Sequence, residues 1–144
     1  MFLDDYIDEN YKIKTPEHFN FAFDVVDRFA TEEPEKIALV WCNDKGNEKI
    51  LTFSQMAKNV NKTANVLKSL GIKKGDSVML ILRRRYEFWY MLLALHKIGA
   101  IAVPATVQLL TSDIVYRIEK AHIKMIVALN DEQVVEHIEN ALEE

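Results

Sequence analysis

Two short stretches of the chain are apolar without interruption, Val78 to Leu82 and Ala100 to Val103, and the residues between them, Tyr86 to Ile98, are apolar on nearly every face. Gly99 follows, where a left-handed cap would end a helix. The order reads strand, helix, strand. The lack of polar alternation in both strands predicts a parallel pair with both faces of the sheet covered. Only Glu87, His96 and Lys97 are strongly polar in the connecting helix, which predicts that it is buried between layers. Its length is too short to span a bilayer.

The same pattern extends in both directions. Ala22, Val25, Val26 and Phe29 fall at helical spacing, with Thr15-Pro16 or Asn20 as the start and Pro34 as the stop. Ile37 to Cys42 reads as a strand, Asn43-Asp44-Lys45-Gly46 as a turn, and Lys49 to Leu51 as the returning strand of a hairpin. Thr52-Phe53-Ser54-Gln55 matches a capping box, so a helix is expected from Phe53, with Met56, Val60, Ala64, Leu67 and Leu70 facing inward and Gly71 ending it. Beyond Pro104, Thr111 or Ser112 can cap a helix whose Ile114, Val115, Ile118 and Ala121 share a face. Lys124 to Ala128 is a further strand, and Asp131 can cap a last helix carrying Val134, Val135, Ile138 and Leu142. The alternation predicts an α/β fold, a parallel β-α-β core preceded by a helix and a hairpin. Met1 to Lys14 shows no period, and residues 1–18 are expected to form a surface arm.

Composition narrows the function classes. A chain of 144 residues, 49% hydrophobic and 28% charged, is one domain's worth of ordinary globular sequence. The net charge of -4 argues against nucleic acid as a partner, and a single cysteine, Cys42, excludes an internal disulfide and a cysteine metal site. The acidic opening Met-Phe-Leu-Asp-Asp-Tyr lacks the basic-then-apolar order of a signal peptide, so the cytoplasm is the expected compartment.

Much familiar chemistry is missing. None of the four glycines lies in a phosphate-loop or dinucleotide motif, the four histidines form no metal-binding spacing, and no G-x-S-x-G frames a serine. What stands out is Arg83-Arg84-Arg85, which follows the carboxyl end of a predicted parallel strand, where open α/β sheets gather ligands. It also opens the predicted helix, whose N-terminal dipole disfavours cations. An anion can offset that. Equally, the arginines can fan into solvent and pair with Glu87. Trp41, Trp89 and Tyr90 read as packing residues, since a stacking site needs basic residues interleaved with them on one exposed face.

An ordered set of segments carries a resemblance. Residues 19–27 (Phe-Asn-Phe-Ala-Phe-Asp-Val-Val-Asp), Ala38 to Trp41, Leu51-Thr52-Phe53, Gly71-Ile72-Lys73-Lys74-Gly75-Asp76 and Gly99 to Pro104 resemble the start of AMP-forming acyl-CoA synthetases, of the adenylate-forming superfamily. Pro104-Ala105-Thr106-Val107-Gln108-Leu109 and Ser112 to Arg117 are similar to the medium-chain group. In one place the chain departs: that group commonly has Arg-x-Pro-Glu-Trp-Trp where this sequence has Arg84-Arg85-Tyr86-Glu87-Phe88-Trp89.

The resemblance implies the first subdomain of the large N-terminal domain of a ligase, with 19–144 as a partial subdomain. Such an enzyme activates a carboxylic acid, here a fatty acid, with ATP and Mg and passes the acyl group to coenzyme A. The segments that do this chemistry lie later in the family's chain. The resemblance therefore implies no catalytic residue and no cofactor of its own for this stretch, and a carboxylic-acid substrate only in a full-length enzyme. It places Gln108 in contact with coenzyme A. On the residues alone, Gln108 can equally tether its own loop. Surfaces that later segments would cover predict self-association as a homodimer. An autonomous anion-binding or protein-interaction module is the alternative.

Overall fold

The computed structural model describes Lys12 and residues 16–143. Most of the expected arm, and Thr15 as a helix start, lie outside the described residues.

The first helix begins at Asn20. The Asn20 side chain accepts the Ala22 amide at 3.0 Å, and the Asp24 carboxylate accepts the Asn20 amide at 2.6 Å. This reciprocal cap opens a π-helical turn, Ala22–Asp27, which runs into α1 (Arg28–Glu32). Pro34 follows the helix, and the strands β1 (Ile37–Cys42) and β2 (Glu48–Thr52) form the expected antiparallel hairpin. Thr52 then caps α2 (Phe53–Ser69): its hydroxyl accepts the Gln55 amide and the Gln55 side chain accepts the Thr52 amide, the predicted capping box.

α2 ends through Gly71, whose φ of 86° is left-handed. The Ile72 amide reaches back to the Leu67 carbonyl, the closing bond of a Schellman motif. Leu70, expected in the buried stripe, is 61% exposed, and Ile72 is buried in its place. The helix has no partner beyond its last turn, whereas the returning chain brings Ile72 back onto the core.

β3 (Ser77–Ile81), α3 (Glu87–Ile98), β4 (Ile101–Pro104), α4 (Thr111–Ala121), β5 (Ile123–Ala128) and α5 (Glu132–Glu143) complete the chain. The three strands form a parallel sheet in the order β4-β3-β5. Every residue of β3 is buried. Val78 and Leu80 pack with Met56, Val60, Leu67 and Leu95 in one core, while Met79 and Ile81 pack with Ile114, Val134 and Ala141 in a second. The sheet is therefore sandwiched, as the uninterrupted apolar pattern predicts.

Three expectations need correction. α3 is not enclosed on all sides: Leu93, Ala94 and Leu95 are buried, but Trp89 is 45% exposed. One face meets the core, and the other borders an apolar groove of about 270 Å³ lined by Phe21, Val25, Phe53, Trp89 and their neighbours. At α4 the cap is Asp113, whose carboxylate accepts the Leu110 amide at 3.1 Å, and not the hydroxyl of Thr111 or Ser112. Thr111 instead meets His137 Nδ1 of α5 at 3.1 Å. In α5 the buried residues are Val134 and Ala141, and Leu142 is exposed, because Ala141 continues the stripe at seven residues' spacing. Asp131 does cap α5, accepting the Val134 amide.

Gly99 takes the expected left-handed cap at φ 72°, and a side chain there would meet Lys74 Cγ at 3.0 Å.

Candidate functional site

The carboxyl ends of β3 and β5 open into a cleft of about 510 Å³ lined by Leu82, Arg83, Arg85, Glu87, Asn130 and Asp131, with Ala128 and Leu129 at its base. Adjacent parallel strands place it there: β3 delivers Leu82 and Arg83, and β5 delivers the turn that leads to Asp131.

The three arginines do not open the helix. Arg83 to Arg85 form a turn ahead of it, closed by the Arg85 amide on the Leu82 carbonyl at 3.3 Å, and α3 proper starts at Glu87 with an acid in its first turn. The expected conflict with the helix dipole is thereby avoided without an anion. Arg83 has φ 50°, the left-handed region that non-glycine residues rarely adopt.

Each arginine has a different setting. Arg85 donates through Nε and Nη2 to the Glu87 carboxylate at 3.4 and 3.3 Å, the pairing that sequence offered as the alternative to ligand binding. The Arg84 carbonyl accepts the Trp41 indole N–H, which ties the turn to the hairpin, and Arg84 does not line the cleft. Arg83 lines it and has no ion pair among the described residues.

Beside the arginines the aromatic rings stack in a chain. Trp41 meets Tyr86 edge-on with centroids 5.2 Å apart, Tyr86 meets Tyr90 at 5.8 Å, and Lys49 Nζ lies 5.8 Å from the Tyr86 centroid. Sequence reading missed this grouping. The hairpin register sets Trp41 opposite Lys49, and no local periodicity reveals that this pair docks on the turn after β3. Trp41 and Tyr90 are half-buried packing residues, as expected.

Burial works against the charged form of Glu87, but hydrogen bonds from Arg85, its own backbone amide and Tyr86, with the Arg85 charge, outweigh it and hold the carboxyl below its ordinary 4.5. The Glu87 carboxylate in turn raises Arg85, chiefly through the hydrogen bond, and raises Tyr86, chiefly through its charge. Burial pushes Tyr90 up. A depressed acid stabilises the folded state above its unfolded pKa and loses that contribution as pH falls through the folded value. Glu87→Gln should therefore leave stability near neutral pH lower by no more than about 1 kcal/mol, the upper end for exposed pairs, and should shrink the loss on acidification below about pH 4. Urea unfolding at pH 7 and pH 3 measures both; an unchanged acid loss in the variant would show that the pair is not coupled to folding.

Gln108 stands elsewhere. It is exposed in the segment after β4, on the other side of β3 from β5, and does not line the arginine cleft. Its backbone amide donates to Thr106 Oγ1 at 3.3 Å, and its carboxamide has no hydrogen-bond partner among the described residues. The loop is thus tethered by Thr106, leaving the Gln108 side chain free to donate and accept. Among the described residues no three His, Cys, Asp or Glu side chains gather as a metal site would require.

The layered architecture is that of the N-terminal subdomains of adenylate-forming enzymes. Solved structures show it directly: the Klebsiella oxytoca NpsA N-terminal subdomain matches with a TM-score of 0.64 at 26% identity, covering 73% of this chain and 26% of that one. A Mycobacterium tuberculosis fatty acyl CoA synthetase matches with a TM-score of 0.73 at 27% identity, covering 83% of this chain and 23% of that one. The chain belongs to the AMP-binding enzyme family, whose model matches residues 26–144. Curated relatives include the acyl-coenzyme A synthetase ACSM4, mitochondrial, of Rattus norvegicus, 40% identical over 119 residues, covering 78% of this chain and 20% of the relative. The human acyl-coenzyme A synthetase ACSM2A, mitochondrial, is 34% identical over 137 residues, covering 91% and 23%. The chain thus spans about a fifth of the length of the curated relatives it matches. Among the described residues no helix is long and apolar enough to cross a membrane.

Proposed function

We propose that this chain is the N-terminal subdomain unit of an acid-thiol ligase that activates a fatty acid with ATP and Mg and transfers the acyl group to coenzyme A. The observation that carries the reading beyond the family is Gln108. Its carboxamide is exposed and has no hydrogen-bond partner among the described residues, in the loop that leaves Pro104 at the end of β4, so it can meet an amide or hydroxyl of coenzyme A at the rim of a thiol-donor site. Coenzyme A would supply the acceptor thiol. In this reading Gln108 is a coenzyme A contact on the thiol donor's side.

A chimera tests this: residues 19–143 are exchanged for the matching segment of a medium-chain relative, and acyl-CoA formation is followed with ATP, Mg and coenzyme A. The folded chimera should form acyl-CoA. Gln108→Ala in it should raise the KM for coenzyme A about tenfold, the worth of one hydrogen bond to a polar partner, while acid-dependent pyrophosphate exchange into ATP stays unchanged. A folded chimera that forms no acyl-adenylate would overturn the reading; equal KM values would remove Gln108 from the site.

Two finer points belong to the same proposal. The Val40–Ile50 cross-strand pair is 63% and 53% exposed, an apolar face that supports self-association of the isolated chain. A cytoplasmic location stays part of the proposal, whereas the relatives named above are mitochondrial. Imaging the tagged protein separates the two compartments.

A further inference from the structure

We propose that the cleft at the carboxyl ends of β3 and β5 binds a phosphate-bearing anion, held by Arg83 and by the guanidinium N–H groups of Arg85 that Glu87 does not use. The site is distinct from Gln108 and does not rest on its reading. Four observations converge. The cleft sits where adjacent parallel strands of an α/β sheet present their carboxyl ends, the usual position of a ligand. Its acids are already engaged: Glu87 is bonded to Arg85, and the Asp131 carboxylate accepts the Val134 amide as the cap of α5. Its cations are not exhausted. Arg85 commits Nε and Nη2 to Glu87, leaving the N–H groups of Nη1, and Arg83 has no ion pair among the described residues, in a chain whose net charge is -4.

The backbone supplies the fourth. Arg83 adopts φ 50°, a conformation that costs free energy for a side chain of this size and that glycine would take without cost. A strained backbone that sets an arginine at the mouth of a cleft is the kind of outlier found at ligand sites. The turn that carries it is fixed from behind, because the Trp41 indole holds the Arg84 carbonyl and Tyr86 packs against Trp41. Two arginines that approach one anion from the same turn can share its oxygens, the geometry that favours phosphate over a monovalent ion. The volume of about 510 Å³ is roomy enough for more than a single phosphate group.

Titration of the isotopically labelled chain at constant ionic strength tests the proposal with three probes: inorganic orthophosphate, inorganic pyrophosphate and AMP. Saturable amide shifts are expected at residues 83–85 and 130–131. Arg83→Gly should weaken binding at least about tenfold, since it removes a charged hydrogen bond while keeping a residue that accepts the backbone conformation. Arg84→Ala should change it less than about twofold, because Arg84 lies outside the cleft, and Glu87→Gln should tighten it by freeing Arg85. Arg83→Lys keeps the charge and should retain part of the affinity, which separates loss of charge from loss of fold. Pyrophosphate binding tighter than orthophosphate identifies a polyphosphate as the ligand source; AMP binding tightest identifies a nucleotide monophosphate. No saturation with any of the three overturns the site. So does an equal loss in Arg83→Gly and Arg84→Ala, which would mark attraction by surface charge alone.

Discussion

Asp27→Ala should destabilise the chain by about 2 kcal/mol or more, while Lys97→Met should cost less than about half of that. The Lys97 ammonium is held between three helical segments: it pairs with the Asp27 carboxylate at 2.7 Å, donates to Asn61 Oδ1 of α2 at 2.6 Å, and lies 5.2 Å from the Phe23 ring centroid. Its side chain is 8% exposed, whereas that of Asp27 is 34% exposed. The two partners are therefore unequal. Removing the acid strands a buried cation with one neutral acceptor, and breaking a buried pair in this way costs about 3 to 5 kcal/mol when both groups are fully enclosed. The lower figure applies here because Asp27 reaches water and Asn61 remains. Removing the cation leaves an acid that water can solvate, and methionine refills the volume along the same helix face. Urea midpoints of the two single variants and the double variant decide it. A Lys97→Met cost equal to or above that of Asp27→Ala would mean that the pair contributes as attraction, not as relief of a buried charge.

This staple was not legible in the sequence. Asp27, Asn61 and Lys97 are separated by more than thirty residues at each step, and no local pattern links them. By contrast, three local signals are readable, the Thr52 and Gln55 capping box, Gly99 as the left-handed end of α3, and Asp131 at the start of α5, whereas the cap of α4, expected from a hydroxyl, is made by Asp113. The errors fall at helix ends and on α3. Leu70 satisfies the period but is the cap beyond the last turn of α2, and Leu142 is exposed because Ala141 beside it takes the buried place. The composition of α3 suggests burial all round, yet only one side of it has a core to face.

The candidate site divides along the same line. Arg83, Arg85 and Gln108 can be picked out because of what precedes them, a strand end or a proline. Their settings cannot. That Arg85 is committed to Glu87 while Arg83 is left with positive φ depends on how the turn leaves β3, and that Trp41 holds this turn depends on the register of a hairpin some forty residues upstream. The departure from the family's Arg-x-Pro pattern at Tyr86 fits this: where a proline would fix the backbone, the Tyr86 ring lies against Trp41 and Tyr90 instead.

The largest loss is expected from charging either face of β3, and the two faces should respond alike. Met79 and Leu80 are adjacent in sequence and each is essentially inaccessible to solvent, but Leu80 packs on α2 and α3 and Met79 on α4 and α5. In a sheet with one solvated face, one of two neighbouring positions would tolerate a polar side chain. Here neither can. Leu80→Ala should cost about 2 to 5 kcal/mol through lost burial and the cavity left behind, and Met79→Ala a similar amount. Leu80→Asp and Met79→Asp add the desolvation of a carboxylate without a partner, which exceeds the stability of about 5 to 15 kcal/mol typical of a domain once combined with the packing loss, so both should fail to fold. Circular dichroism and urea unfolding of the four variants check this. If Met79→Asp folds with its α2 and α3 face intact, the second core formed by Ile114, Val134 and Ala141 does not contribute to holding the sheet, and the sandwich described above is wrong on that side.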